Sequence, residues 1–143
     1  MSVNTLNLHR HVEKAIEQAE LKTSAELRVH LEDFCKEDPL DRAAYLFEKL
    51  EMHQTALRNG VLIYVAFKDR KLAILGDAGI HQHAHQETWD TIKNEMIDAF
   101  GQGQFEGGLT HAVLRVGETL ATFFPRSHDD RNELSNTVSS GNL

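Results

Sequence analysis

The chain has 143 residues and a mass of 16.2 kDa, enough for one ordinary domain and too little for a second sizeable core. Its 41% hydrophobic and 26% charged residues exclude a disordered or membrane-embedded chain. A net charge of −7 excludes nucleic acid as the main partner, because phosphate binding needs a basic surface.

In chain order, residues 9–21 place Val12, Ala15, Ile16 and Ala19 at helical spacing, which predicts an amphipathic first helix. The next segment, 26–32, alternates strictly. Leu27, Val29 and Leu31 take one face of a strand, and Glu26, Arg28, His30 and Glu32 take the other. A strand so divided is expected at a sheet edge or beside a wet site. Asp38-Pro39-Leu40-Asp41 opens a second helix, with Asp38 as N-cap and Pro39 in the first helical position. Its expected buried stripe is Leu40, Ala43, Ala44, Phe47 and Leu50.

After Asn59-Gly60, the run 61–67 is apolar throughout, as a strand covered on both faces requires. Lys68-Asp69-Arg70 then turns the chain into the apolar 71–75, an antiparallel hairpin. Two further helices follow. One has Trp89, Ile92, Met96 and Phe100 in phase and stops at Gly101; the other runs from Phe105 through Leu109, Val113, Val116 and Leu120 until Pro125. Strand, helix, strand and hairpin predict an α/β chain: a three-layer α/β/α sandwich with a small mixed sheet under about four helices. Residues 1–125 form its single domain, and 126–143 read as a polar tail of irregular surface chain. The first residues lack the basic flank and apolar run of a secretion signal, no segment reaches membrane-spanning length, and one cysteine makes no internal disulfide. The expected location is the cytoplasm, with no membrane insertion.

Familiar catalytic signatures are mostly missing. The glycines at 101, 103, 107 and 108 follow a helix and miss the dinucleotide spacing, so they read as a helix stop and a loop. Cys35 lies near Glu37 and Asp38, whose negative charge disfavours a thiolate. His81, His83 and His85 are of a metal-ligating type, but residues two apart diverge on a strand and do not stack on a helix. They read as a polar connection. Acid is more informative: residues 26–41 hold six carboxylates against two bases, more than half of the net charge. Calcium and magnesium need several converging oxygens of this kind, whereas Asp38 and Asp41 are already explained by helix capping.

Three stretches together resemble the TPM domain family. Thr23-Ser24-Ala25-Glu26-Leu27-Arg28-Val29 looks like its lead into the first strand. Asn59-Gly60-Val61-Leu62 followed by Asp69-Arg70-Lys71 looks like its central hairpin, and Leu75-Gly76-Asp77-Ala78-Gly79-Ile80 stands in place of its Gly-x-Gly-Leu-Glu loop. The tail Asp129-Asp130-Arg131-Asn132-Glu133-Leu134 is similar to that of small cytosolic bacterial members. The resemblance implies an α/β/α sandwich, divalent-metal binding at acidic loops, and weak acid-phosphatase activity in some plant members. Two departures are visible: the family's early Asp-x-Ala-Gly segment has no counterpart, and His81 replaces the acid that ends the Gly-x-Gly-Leu-Glu loop.

With the first two strands parallel and the third antiparallel, Glu26, Asn59 and the 76–81 loop fall at one end of the sheet. Asp77, Glu26 and His81 are therefore the candidate metal ligands, for calcium or magnesium with zinc ranked behind them. The leading expectation is a divalent-metal-binding or protein-interaction module with an unidentified protein partner. The alternative is a weak metal-assisted acid phosphatase, in which the ion polarises a phosphoryl oxygen and activates water. An adaptor docking through the tail or the histidine loop is the third.

Overall fold

The computed structural model describes residues 5–126 and 138–141. The elements are α1 (Thr5–Glu20), β1 (Glu26–Glu32), α2 (Pro39–Lys49), β2 (Gly60–Ala66), β3 (Lys71–Gly76), α3 (Ala78–His81), α4 (Gln86–Gly101), α5 (Phe105–Phe123) and β4 (Ser139–Ser140). The sheet order is β3-β2-β1-β4. β1 pairs in parallel with β2, Glu26 opposite Gly60, and β3 returns antiparallel with Val61 opposite Gly76. The mixed α/β sandwich is as expected, with a one-turn helix, α3, added inside the 76–81 loop.

Alternation along the strands builds two cores. Leu27, Val29, Leu31, Val61, Ile63 and Val65 join the apolar stripes of α1, α4 and α5 on one face. Leu62, Tyr64, Ala66 and Ala73 pack with Ala43, Leu46 and Phe47 of α2 on the other. β2 is buried along its whole length, which is why its sequence shows no alternation. The α2 stripe is rotated from the expected one: Leu46 is buried, whereas Leu40 is 48% exposed and Ala44 faces solvent. The cause is the N-cap. The Asp38 side chain accepts the Leu40 N–H at 2.8 Å, which holds Leu40 in the first turn at the helix mouth, off the sheet.

Two expectations are corrected. Of the two settings expected for β1, the wet one is corrected, since Glu26 and His30 are buried at 2% and 0% exposure, while only the two-residue β4 separates the strand from the sheet edge. The tail is not irregular throughout, because Ser139 and Ser140 pair in parallel with His30 and Leu31, and Val138 is buried in the core. The segment 129–134 lies outside the described residues.

Helices α1 and α5 touch closely at Gly117, where an added Cβ would sit 2.6 Å from the Ala19 Cβ. Gly117→Ala is therefore expected to destabilise by about 1–3 kcal/mol through overpacking. Gly107→Ala is the internal comparison. It lies in the same helix with nothing within 4 Å of the new methyl, and should stabilise by about 1 kcal/mol or less. Urea melts of the two variants check both signs.

Candidate functional site

Seven polar or charged residues are buried among those described, and six of them gather at the end of the sheet where β1 and β2 begin and β3 ends: Glu20, Thr23, Glu26, Thr55, Asn59 and Asp77. The backbone draws them together. Glu26 N–H donates to the Asn59 carbonyl at 3.4 Å, and Asp77 N–H donates to the Gly60 carbonyl at 2.9 Å. Asn59 N–H donates to the Thr55 hydroxyl oxygen at 3.1 Å. Both amide atoms of the Asn59 side chain are buried with no partner among the described residues.

Two of the three predicted ligands, Asp77 and Glu26, already have partners within the fold. Asp77 caps α3 by accepting the Ala78 N–H, and receives two bonds from Arg58, Nε at 2.7 Å and Nη2 at 2.8 Å. Burial pushes its carboxyl up, but the Arg58 bonds and the Ala78 N–H outweigh that and hold it below the usual range. Arg58 has a φ of +52°, in the left-handed region, and its side chain stays 53% exposed while that of Asp77 is 6% exposed. Glu26 lies beside Glu20, whose Oε2 accepts the Leu27 N–H at 3.0 Å and so satisfies a β1 amide beyond the reach of the two-residue β4. Burial first, then the adjacent Glu26 carboxyl, raise Glu20 to about 8, so the pair retains a proton at neutral pH. His81 is exposed at the C-terminus of α3.

The expected shared end of the sheet thus holds Glu26 and Asp77, but their side chains face different partners. Among the described residues, no three His, Cys, Asp or Glu side chains stand together in a group able to hold a metal ion. Two acids of the run 26–41 are likewise engaged in structure: Glu32 with Arg42 and Tyr64, and Asp38 in the α2 cap. His83 stacks on Phe123 with ring centroids 5.5 Å apart, and His85 is the first residue before α4.

A second polar constellation, missed in the sequence, lies toward the opposite end of β1. Glu32 accepts a bidentate pair from Arg42 at 2.9 and 3.0 Å and the Tyr64 hydroxyl. Burial raises its carboxyl, and the Arg42 and Tyr64 bonds more than reverse this. His30 stacks on Tyr64 and binds the C-terminal segment, Nδ1 to the Ser139 hydroxyl at 2.8 Å and Nε2 to the Gly141 carbonyl at 3.0 Å. The apolar part of that docking, among the described residues, is one buried valine, on the order of 1.5–3 kcal/mol before ordering costs.

A mixed sheet layered between α2 and the α1/α4/α5 group, with buried acids at one end, defines an α/β/α domain of the TPM type. The TPM domain's sequence model matches residues 5–119, and the chain belongs to that family. Among solved structures it is similar to the BA42 protein of the psychrophilic bacterium Bizionia argentinensis, with 43% identity, a TM-score of 0.87, and 94% of this chain and 93% of that one covered. The N-terminal domain of cg2496 from Corynebacterium glutamicum shares the fold alone, at 14% identity and a TM-score of 0.54, with 100% of this chain and 81% of that one covered. No curated protein matches the sequence. No helix among the described residues is long and apolar enough to cross a membrane.

Proposed function

We propose that this chain is a cytoplasmic bacterial binding module whose acidic sheet end takes up a divalent cation and presents the result to a protein partner. The observation that carries this reading is the Asp77–Arg58 pair: a nearly buried carboxylate is neutralised by a guanidinium that remains half in solvent. A calcium or magnesium ion exchanged for Arg58 keeps the carboxylate neutralised, so it needs no new buried charge on the protein side. Asp77 is the principal ligand in this reading, Glu26 the second carboxylate, and His81 a rim contact. Zinc ranks behind because the set is richer in oxygen than in nitrogen or sulfur. A site of few protein ligands binds weakly, in the millimolar class of roughly 10⁻⁴–10⁻³ M.

The test is titration with calcium, magnesium and zinc, followed by amide shifts. Shifts centred on Arg58, Asp77 and Ala78, tightened severalfold in Arg58→Ala and abolished in Asp77→Asn, are expected. Shifts confined elsewhere, or none, would sink it. Metal-dependent turnover of an aryl phosphate that disappears in Asp77→Ala would transfer the reading to a metal-assisted phosphatase.

A further inference from the structure

The C-terminal segment is held on β1 by a single fully buried imidazole. The carbonyl of Gly141 only accepts, so Nε2 of His30 carries the ring hydrogen. Nδ1 is then the bare nitrogen, and it accepts the Ser139 hydroxyl. The remaining ties are few. Gly141 N–H donates to the Leu31 carbonyl at 3.1 Å, Val138 N–H donates to the Glu13 carboxylate at 3.1 Å, the Ser139 hydroxyl lies 3.4 Å from the Val29 carbonyl, and the pairing itself is two residues long.

We propose that β4 is a latch over the outer edge of β1, and that protonation of His30 releases it. A second ring hydrogen turns Nδ1 into a donor toward the Ser139 hydroxyl oxygen, whose own hydrogen must then turn to the Val29 carbonyl at 3.4 Å. The contact survives, and what protonation brings is a buried charge. That charge has no free counter-ion. From β1 itself, Glu32 stands 3.9 Å from Nε2, but Arg42 of α2 and the Tyr64 hydroxyl of β2 already claim that carboxylate. Also from β1, Arg28 is a cation whose buried Nε has no partner among the described residues. An imidazolium would be the third cation beside one carboxylate in a site closed to water. α1 offers only Glu13, which is engaged with the Val138 amide. Burial and the two guanidiniums accordingly hold the imidazole below its ordinary range, against the pull of Gly141 and Glu32. Opening exposes the Val29 and Leu31 carbonyls along the strand edge, with the rest of the sheet intact.

Amide exchange of the full chain between pH 7.5 and 4.5 tests the latch, with protection expressed relative to intrinsic rates at each pH. Protection at Gly141 should fall by up to tenfold per pH unit below the midpoint, the limit for one proton. Ile63 protection and Trp89 fluorescence should stay constant, which separates release from unfolding. His30→Gln should abolish the pH dependence, whether its tail stays docked or stays free. Ser139→Ala, which leaves the core untouched, should move the midpoint to higher pH. Glu13→Gln should retain the dependence. Protection insensitive to pH, dependence that survives His30→Gln, a Ser139→Ala midpoint that does not move, or dependence lost in Glu13→Gln would each overturn the proposal.

Discussion

Without metal, Glu20→Gln is expected to make the protein more stable in mild alkali and to flatten its stability between about pH 5 and pH 9. The sign follows from linkage. The folded-state pKa of Glu20 is raised to about 8, from an ordinary value near 4.5. Its contribution is therefore complete below the unfolded value and is lost as pH rises through the folded one. Over that window the native state binds more protons than the unfolded state, so wild-type stability falls with rising pH. A shift of this size corresponds to several kcal/mol at most, on the order of 1.4 per pKa unit, and relaxation will reduce it. Glutamine keeps an oxygen for the Leu27 N–H while removing the charge. We expect a gain on the order of 2 kcal/mol at pH 9 and almost none at pH 5. Equilibrium urea unfolding of both proteins across this range reads the difference; parallel curves would mean that the carboxyl pair carries no proton.

The second large effect belongs to Glu32. Glu32→Gln removes the one carboxylate among the described residues that pairs with Arg42, whose side chain is 13% exposed. Breaking a buried pair from one side costs about 3–5 kcal/mol; with one partner partly exposed, we expect about 2–3 kcal/mol. The same substitution has a distinctive second signature. Glu32 raises the His30 pKa while Arg42 and Arg28 lower it. Its loss therefore removes the carboxylate that favours a docked imidazolium and moves the release of β4 to higher pH, while the domain as a whole is also weaker. A variant that is less stable overall and also loses Gly141 protection at higher pH would carry both marks. Arg42→Met is the counterpart: it removes an opposing cation and frees Glu32, and the latch should open at lower pH.

These two acids show how far the sequence could be read. Glu26 and Glu32 stand six residues apart on the same strand, and alternation assigned both to the polar face. Their environments differ entirely: Glu26 lies against Glu20, whose carboxyl is raised to about 8, whereas Glu32 is held below its ordinary range by Arg42 and Tyr64. Periodicity registers which way a side chain leaves the backbone, not what the rest of the chain brings to meet it. The same holds for Asp77, which was placed at the correct end of the sheet from strand directions alone. That Arg58 would fold back on it depends on a left-handed residue just before Asn59-Gly60, for which no local pattern exists.

The sequence by itself determined the layers, the parallel first pair, the hairpin and the N-cap of α2, because each follows from short-range periodicity, turn chemistry or a capping residue. It also determined the family resemblance, which the match over residues 5–119 bears out. Only the tertiary structure decided which acids meet a partner, with Asp77 on Arg58, Glu32 on Arg42 and Glu20 raised beside Glu26. Only the tertiary structure, too, turned part of a polar tail into a strand held by His30, more than one hundred residues earlier. Contacts at that separation carry no periodic signal, because their partners are chosen by packing and by the need to satisfy buried polar groups.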